Sequence, residues 1–593
     1  MNFKKYFNSK SSLILIFIVL IVSFFQRDFA RILTWDTMGQ YCYLPNFFID
    51  KTFKLPLAHY IELNSIYNFS DTLYQFNTHF NEIAFTKYTA GLAVLLTPFF
   101  LIGHLFAHIL NFPIDGYSLP YAISFTVGCY FYIALAFVIL RKLLKHFFDD
   151  KITSVVLLLI FFGTNLMYNS MYGTTFTHNI SFMLVALLIL KTIEFHKVPN
   201  LKNGIYIGVS LGLLGLTRMP NLMFGLIPLL WTTDEYPNIV RKINLFFKEH
   251  LKVTIATLLS FTLIISIQFV YWRLTAGQFF MNSYANNAGE GLDWLSPYTI
   301  PFLFSFKKGW IIYTPLAIIA LIGFAKMLKE GKNNILLAVV FVLFTYIVSC
   351  WTTWWYAHSF SQRAMIDIYA IVAIALGYVL ISKKIRKWVA VPIVLFVILN
   401  IFQTWQMKNY ILSGSLMTKK FYFSTFGQTK QTTHEQKQLL ELSAGDFINV
   451  PIENMKLEYK TSWNFDLNNE QINSEHIYSE GINVHIKEFY KPRKLFLLQA
   501  KWTYNAESYS GIDGLIPNAV TFYKNKSYTW TGVEPGNPHF ELDTANNSFS
   551  MLYVVPNLRS KNDYIRFQIW RQGERDIELE NIEIKLFEII SSI

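Results

Sequence analysis

The sequence is short of charged residues and of cysteine. Only 15% of its 593 residues are Asp, Glu, Lys or Arg, whereas a soluble globular domain carries roughly 25%. Its three cysteines, Cys42, Cys129 and Cys350, are scattered within or beside apolar segments. That scatter predicts neither a disulfide framework nor a metal site. The chain also has no internal repeat and no low-complexity tract, so a repeat architecture is excluded.

Hydrophobic residues, by contrast, make up 53% of the chain. Several apolar runs approach the roughly 20 residues that a membrane-spanning helix needs. The net charge of +12 does not indicate nucleic-acid binding, because Lys and Arg cluster in short loops between apolar runs. That distribution is the one that orients a protein in a membrane. The fold class predicted is a polytopic α-helical membrane protein with a C-terminal extracytoplasmic β-sandwich domain.

Eleven spans are predicted. Lys4, Lys5 and Lys10 precede the first apolar run, and no small-x-small cleavage motif follows it. We therefore expect an uncleaved first span with a cytoplasmic N-terminus. The spans are 11–27, 119–140, 153–171, 179–195, 204–217, 220–232, 251–272, 310–327, 334–351, 364–382 and 388–405.

The loops support this order of spans. With the N-terminus inside, five connections are cytoplasmic, and each of them is rich in Lys and Arg, whereas the alternate loops carry fewer positive charges. This asymmetry is the established sign of orientation. It puts the C-terminal domain on the outer face, which is periplasmic if the cell is Gram-negative, and we expect a bacterial inner (plasma) membrane protein. The five basic connections are 141–145, 191–202, 241–252, 326–332 and 383–387.

One further apolar run, Leu92 to Leu110, is long enough to be a span, and counting it would reverse every later helix. It contains Pro98, Gly103 and two histidines. We interpret 84–110 as an interfacial or re-entrant helix within one long outer loop, residues 28–118. Irregular backbone at membrane depth packs on protein or lines a cavity, so a cavity on the outer face is expected.

Two domains are predicted: a transmembrane domain over 1–410 and a β-rich domain over 434–593, joined by a linker over 411–433. The second domain is polar, with short alternating runs separated by turn residues, which is typical of an antiparallel β-sandwich. Its Trp502, Trp530 and Trp570 either stack on sugar rings or fill the core. The core interpretation is favoured because Trp is mostly buried.

Asp36 is the outstanding candidate for chemistry. It follows the first span and is flanked by Trp35, Tyr41 and Tyr43. A carboxylate partly desolvated beside a bilayer is a functional candidate, and it suits the role of a general base for a hydroxyl. The alternative is a solvated loop acid next to interfacial aromatics.

Cations and aromatics gather on the same predicted face. Arg218 and Arg363 lie at span ends on the outer side, where an arginine needs a partner. Arg and Lys suit a phosphate, although the lysines also suit lipid headgroups and the aromatics an ordinary interfacial belt. His178 alternatively has a structural role. The candidate substrate-binding residues are Lys87, Tyr88, His178, Arg218, Lys307, Lys308, Trp355, Tyr356, His358, Gln362 and Arg363.

The order of these motifs resembles the C-type (GT-C) membrane glycosyltransferase superfamily, in particular bacterial relatives of the dolichyl-phosphate-mannose protein mannosyltransferases and the lipid A aminoarabinose transferase. A first span is followed by an outer-loop Asp and then by Lys87-Tyr88-x-x-Gly91. Lys87-Tyr88 is similar to the Lys-Pro-Pro motif of those enzymes without its prolines. Phe360-Ser-Gln-Arg363 is similar to their Phe-Gly-Gln-Arg, with Ser361 in place of Gly. The resemblance covers about residues 1–405.

The resemblance implies an inverting glycosyltransferase that uses a polyprenyl-phosphate-linked sugar, with a glycan, lipid or protein as acceptor. Asp36 would be the base, and Lys87, Arg218 and Arg363 would contact the donor phosphate. His178 stands where the family often has a second acid. Cationic neutralisation of the leaving phosphate requires no metal cofactor, and no nucleic acid is implied.

Two other functions fit the same spans. A transporter or flippase for a lipid-linked glycan would share the cationic cavity, but it would also place acids within spans on both sides, and the inner side shows only basic loops. A non-catalytic assembly protein would rely on the C-terminal domain and would leave Asp36, Arg218 and Arg363 without a purpose.

Overall fold

The chain forms two compact units, a helical unit that ends at Thr433 and a β unit that begins at His434. The computed structural model describes these residues: 8–70, 73, 75–78, 83–173, 177–234, 237–284, 291–437, 439–440, 455–489, 494–508, 514–523, 526–533, 537, 539–555, 558, 562–571 and 576–592.

The helical unit follows the apolar runs of the sequence. In the described part of this unit, its helices are interrupted by one antiparallel strand pair, β1 (Phe76–Thr78) with β2 (Ala84–Thr86), and by three 3₁₀ segments, Phe29–Arg31, Met219–Gly225 and Arg363–Ile368. The helices are α1 Ser9–Phe24, α2 Trp35–Tyr41, α3 Tyr43–Phe48, α4 Leu57–Tyr67, α5 Gly91–Ile109, α6 Leu119–Leu144, α7 Asp150–Phe162, α8 Leu166–Met171, α9 Thr177–Lys197, α10 Leu201–Thr217, α11 Leu226–Leu230, α12 Ile239–Lys248, α13 Leu251–Ala276, α14 Thr299–Phe304, α15 Trp310–Tyr313, α16 Leu316–Met327, α17 Lys332–Ser349, α18 Tyr369–Ile381, α19 Lys383–Lys408 and α20 Lys419–Ser424.

Among the described residues, seven helices are long and apolar enough to cross a membrane, and four shorter helices are also apolar. The chain is therefore a helical membrane protein. Helix α9 and the segment Arg363–Ile381 are mostly buried and form the centre of the unit, whereas α13 and α19 are mostly exposed. Because their exposed residues include Leu258, Leu263 and Leu395, these two helices suit contact with lipid.

Polar contacts at both ends of α1 fix its direction. At its start, the Ser9 amide donates to Asp150 (2.9 Å), and Asp150 also pairs with Lys145 (2.7 Å) after α6. Beyond its end, Arg27 donates to the Tyr130 hydroxyl (3.2 Å) in the middle of α6 and to the carbonyl of Gly173 (2.9 Å) after α8. Helix α1 therefore runs antiparallel to α6, and the connection 28–118 begins and ends on one side of the unit.

The run expected to form an interfacial or re-entrant helix is the continuous helix α5, which contains Pro98. The start of the expected segment 84–110 is strand β2. Helix α5 packs along the first half of α6: the Tyr132 hydroxyl donates to the carbonyl of Leu95 (2.7 Å), and Gly103 lies against the backbone of Tyr121. Since α1 and α6 are antiparallel, α5 does not reverse the orientation of the later helices.

Several predicted spans are interrupted where the sequence has Gly, Asn or Pro. The span 153–171 breaks between α7 and α8 at Gly163, and the Asn400 side chain donates to the carbonyls of Phe162 (2.9 Å) and Thr164 (2.8 Å). Buried carbonyls released by a helix break need such donors. The span 220–232 is a 3₁₀ turn followed by α11. Lys242 donates to the carbonyls of Pro228 (2.6 Å) and Trp231 (2.9 Å) at its end.

The β unit is a sandwich of two antiparallel sheets. The strands are β3 Met455–Ile472, β4 Ile482–His485, β5 Leu495–Tyr504, β6 Leu515–Tyr523, β7 Lys526–Gly532, β8 Phe540–Asp543, β9 Ser548–Val554, β10 Tyr564–Arg571 and β11 Ile577–Ser592. One sheet has the order β3-β11-β5-β9-β8 and the other β4-β10-β6-β7. Short helices α21 (His434–Lys437), Ala506–Ser508 and Thr544–Asn546 accompany them.

The core of the sandwich lies between these sheets. Alternate residues of β10, Ile565, Phe567 and Ile569, are buried, as alternation along a half-buried strand requires. They share one apolar cluster with Trp502 and Phe549 of the other sheet. Trp502 is thus a core residue, as the favoured interpretation expected. Trp530 and Trp570 are not part of that cluster.

Candidate functional site

Asp36 lies in the first turn of α2, and its side chain is mostly buried in the helical unit. Its carboxylate accepts a hydrogen bond from the Arg363 guanidinium (2.9 Å) and another from the Tyr88 hydroxyl (2.6 Å). The side chain is only 19% exposed and that of Arg363 12%. Two residues far from Asp36 in sequence, Tyr88 and Arg363, therefore hold its carboxylate in a partly desolvated position.

The backbone before Asp36 is strained. Trp35 has φ 52°, a left-handed conformation that is costly for a bulky residue. Two hydrogen bonds hold it there: the Trp35 amide donates to the carbonyl of Phe69 (2.9 Å), and Gln75 donates to the Trp35 carbonyl (3.1 Å). Strain that the surroundings maintain is characteristic of functional sites, and here it sets the position of the carboxylate.

The segment that contains Lys87 and Tyr88 is hydrogen-bonded to the helices around Asp36. The Thr86 hydroxyl donates to the carbonyl of Gly39 (2.7 Å), and the Tyr43 hydroxyl donates to the carbonyl of Tyr88 (2.6 Å). A Cβ on Gly39 would lie 2.6 Å from a ring carbon of Tyr88. Only glycine at this position lets the tyrosine ring approach α2 closely enough to reach Asp36.

Lys87 is buried, with 2% of its surface exposed. Its ammonium lies 5.6 Å from the ring centroid of Tyr88 and 5.5 Å from that of Tyr284, distances at which a cation is attracted to an aromatic face. The alternative in which Lys87 extends to lipid headgroups is therefore wrong. Lys87 instead places a positive charge inside the protein next to the Asp36–Tyr88 pair.

A second acid–arginine pair lies at the junction of α9, α10 and the segment Arg363–Ile368. Asp367 is fully buried and accepts hydrogen bonds from Arg218 (3.0 Å) and Asn221 (3.0 Å). His178, at the start of α9, lies 2.8 Å from the other carboxylate oxygen. The fold thus places His178 in contact with Asp367. Asp367 is a candidate functional residue that the sequence analysis did not select.

Both arginines that were expected to hold a phosphate therefore have acidic partners. Arg363 pairs with Asp36 and Arg218 with Asp367. The guanidinium of Arg218 also lies 5.7 Å from the ring centroid of Tyr356. The only sequence signal for these pairings was an acid four residues beyond Arg363, inside an apolar segment where a charge requires a partner.

The loop from Trp351 to Gln362 carries most of the remaining candidates. Tyr356, Ala357 and Ser361 have φ of 51°, 50° and 55°, so this loop turns sharply at two places. The Tyr356 hydroxyl donates to the carbonyl of Val348 (2.9 Å) and anchors one turn. Asn165 donates to the carbonyl of Gln362 (3.1 Å) and anchors the other, immediately before Arg363.

Lys308 supports the second turn from inside. It is 1% exposed, and its ammonium donates to the carbonyl and to the hydroxyl of Ser359. Burial, together with the charges of Arg363 and Lys307, lowers the pKa of Lys308 well below its usual value. A headgroup contact by Lys308 is therefore wrong. Its Nζ holds the loop that leads to Arg363 through the hydrogen bonds to Ser359.

His358 and Lys307 flank this loop. Desolvation by the surrounding protein, reinforced by the charges of Lys308 and Arg363, lowers the pKa of His358 to about 4, so the imidazole is neutral at physiological pH. Its ring packs on Gly414, where a Cβ would come within 2.3 Å. Lys307 lies 4.2 Å from the ring centroid of Trp355.

Gln362 is fully buried, and neither end of its side-chain amide has a hydrogen-bond partner among the described residues. An unpaired buried amide is costly. Its backbone lies between the Ser361 turn and Arg363. Gln362 therefore stays a candidate for contact with a bound molecule.

The described arrangement offers one partly exposed carboxylate beside several buried or half-buried cations. A carboxylate fixed by two hydrogen bonds can take a proton from an acceptor, and arginine forks can bind phosphate oxygens. Within the described ranges, no group of three or more His, Cys, Asp or Glu side chains is placed to hold a metal ion.

No family model matches the sequence, and no curated protein matches it. By structure, the chain is similar to the oligosaccharyltransferase of Archaeoglobus fulgidus in its apo form, with 13% identity and a TM-score of 0.38 over 74% of this chain and 60% of that one. It is also similar to the oligosaccharyltransferase AglB of the same organism, solved with an inhibitory peptide and a dolichol-phosphate, with 12% identity and a TM-score of 0.36 over 72% and 58%. The chain spans about 60% of the length of these proteins.

Proposed function

We propose that this protein transfers a sugar from a polyprenyl-phosphate-linked donor to an acceptor hydroxyl at the outer face of a bacterial inner membrane. The observation that carries the proposal is the Asp36 carboxylate, only 19% exposed and held between Arg363 and Tyr88 inside a helical membrane unit. A base for a hydroxyl next to cations for a phosphate is the set of groups that this reaction requires.

In the proposed reaction, the acceptor oxygen attacks the anomeric carbon from the face opposite the phosphate, so the configuration inverts. The bond between that carbon and the phosphate oxygen breaks, and the electron pair leaves with the polyprenyl phosphate. The acceptor proton passes to Asp36. Fixing the carboxylate before substrate arrives supports this step, because a base acts only within hydrogen-bond reach of the proton it takes.

The positive charges of Lys87, Arg218 and Arg363 support the departure of the phosphate. All three are at least partly desolvated, and fixed charges in a site that excludes water stabilise developing negative charge more strongly than charges in water do. Each arginine is already paired with an acid, so donor binding involves sharing a guanidinium between carboxylate and phosphate. Its five N–H donors allow that.

The test is a transfer assay with the purified protein in lipid vesicles that contain a radiolabelled polyprenyl-phosphate sugar. Label appearing in a water-soluble or lipid acceptor, with release of polyprenyl phosphate, supports the proposal. Movement of intact donor across the vesicle membrane without release of polyprenyl phosphate contradicts it and indicates a flippase. Loss of transfer in Asp36→Asn ties the activity to this site.

A further inference from the structure

An aromatic strip covers the outer face of the four-stranded sheet in the β unit. Strand β10 turns Ile565, Phe567 and Ile569 into the core. Its alternate residues therefore point to the opposite face. Those outward residues are Tyr564, Arg566, Gln568 and Trp570, and none of them is fully buried.

Neighbouring strands add rings at both ends of this row. At one end, Phe522 of β6 stacks on Tyr564 with centroids 4.9 Å apart and planes within 5°. At the other end, Tyr478 stacks on Trp570 with centroids 6.0 Å apart and planes within 8°, and Trp530 of β7 lies edge-on at 6.2 Å. Tyr478 and Trp530 are about half exposed, at 48% and 53%.

Polar side chains separate the two aromatic ends. Arg566 lies between them in the row, with its guanidinium 5.2 Å from the Phe522 ring centroid and its Nε donating to Asn483 (2.9 Å). The guanidinium is thus held in one orientation with further donors available. Gln568 follows it. From Tyr564 to Trp570 the row is about 20 Å long, at roughly 3.3 Å per strand residue.

We propose that this strip, defined by Tyr478, Phe522, Trp530, Tyr564, Arg566 and Trp570, binds a linear oligosaccharide that carries an acidic group. Sugar rings present flat C–H faces and a rim of hydroxyls, which fit aromatic surfaces flanked by amide and guanidinium donors. An oriented arginine in the middle of the row suits a carboxylate or phosphate on the glycan.

The chemistry of the strip suits a sugar ligand that carries an acidic group. Its Tyr and Trp rings combine apolar area with polar atoms that form hydrogen bonds, and Arg566, in the middle of the row, is complementary in charge to an acidic group. The inference goes beyond the proposed transfer reaction and does not depend on Asp36.

The experiment measures oligosaccharide binding to the full-length protein in nanodiscs by calorimetry, with hexagalacturonate as the acidic probe and cellohexaose and chitohexaose as neutral probes. We expect hexagalacturonate to bind more tightly than either neutral probe. Trp530→Ala and Trp570→Ala should each weaken binding at least tenfold, and Arg566→Gln should remove the preference for the acidic probe. Trp530 is half exposed, so its replacement leaves the core intact.

Tyr459→Ala is the matched control. Tyr459 is an equally exposed aromatic, at 55%, on β3 of the other sheet, and its replacement should leave binding unchanged. Three results would overturn the proposal: no binding of any probe at millimolar concentration, binding unaffected by Trp530→Ala and Trp570→Ala, or equal weakening by Tyr459→Ala. Asp36→Asn should bind the probes normally. Loss of sugar transfer and loss of oligosaccharide binding by the strip can therefore be told apart.

Discussion

Arg363 donates a hydrogen bond to Asp36 at 2.9 Å although 327 positions separate them in the sequence. The bond joins α2, directly after the first helix of the unit, to the 3₁₀ segment that opens the buried stretch Arg363–Ile381. With one side chain 19% and the other 12% exposed, the pair is screened only partly by water. The Coulomb attraction between the two charges is therefore greater than in a surface ion pair, and Asp36 and Arg363 are best tested separately.

Asp36→Asn keeps the size of the side chain and removes its basicity. If Asp36 is the general base, the variant should transfer sugar about 10² to 10⁴ times more slowly, with little change in donor affinity. The measurement is the initial rate in the vesicle assay. Asp28→Asn is the matched control, because Asp28 is an acid of the same loop that is 66% exposed and 3.8 Å from Arg31; it should transfer normally. A normal rate in a correctly inserted Asp36→Asn protein would show that the base lies elsewhere.

Arg218 and Asp367 form the more deeply buried pair, and Asp367 has no exposed surface. Arg218→Gln leaves a buried carboxylate without its main partner, and removing one member of such a pair costs about 3–5 kcal/mol. We expect a clearly lower melting temperature for this variant. The double variant Arg218→Gln with Asp367→Asn should recover most of the loss. Thermal unfolding in detergent, followed by tryptophan fluorescence, gives both values.

The phosphate role of the arginines needs a separate measurement. Arg363→Lys and Arg218→Lys keep the charge but lose the planar fork, which in the proposed site would bridge a carboxylate and a phosphate. We expect each to weaken binding of a polyprenyl-phosphate analogue to the purified protein. Replacement by Gln, in the case of Arg218 with Asp367→Asn to preserve folding, should weaken it further. Unchanged dissociation constants in all of these variants would leave the arginines as structural partners of the two acids.

How far the sequence predicts this site depends on the kind of signal. The long apolar runs predict α6, α9, α13 and α19 within a few residues, because burial in lipid requires about 20 apolar residues in a row. The misplaced charges at Asp36 and Arg363 are visible for the same reason. The pairing of Asp36 with Arg363 is not visible in the sequence, because no local pattern relates residues on different helices.

Helix α5 and Lys308 have physical explanations too. Helix α5 continues through Pro98, because a helix can lose one backbone hydrogen bond where neighbouring helices support it. Lys308 was expected to bind the substrate, with lipid headgroups as the alternative, because lysine binds phosphate and its side chain commonly extends to the membrane surface. Its partner is the carbonyl of Ser359, which no sequence pattern reveals.

Ser361 offers a test of the loop geometry next to Arg363. Its φ of 55° lies in the left-handed region, where a non-glycine residue costs roughly 1–2 kcal/mol. Glycine pays no such cost there. Ser361→Gly should therefore keep or raise the melting temperature and retain activity, although it loses the long contact to Thr314 (3.3 Å). Ser361→Val should lower both, because a β-branched residue is least compatible with this conformation. Equal stability of Gly and Val variants would mean that this turn is not strained.

The orientation of the chain is the remaining prediction, with the N-terminus inside and the β unit outside. The three native cysteines are buried, so a cysteine-free background is feasible. Asn333 pairs with Thr232 in both directions, whereas Lys329 is exposed after α16, and Glu541 is exposed on β8. An impermeant thiol reagent on outer-membrane-permeabilised cells should label Glu541→Cys and not Lys329→Cys, because the basic connection 326–332 is expected in the cytoplasm.

Labelling of Lys329→Cys alone would show that the entire helical unit has the opposite orientation. It could not be attributed to α5 as an extra span, because α1 and α6 run antiparallel and the number of crossings between them is therefore even.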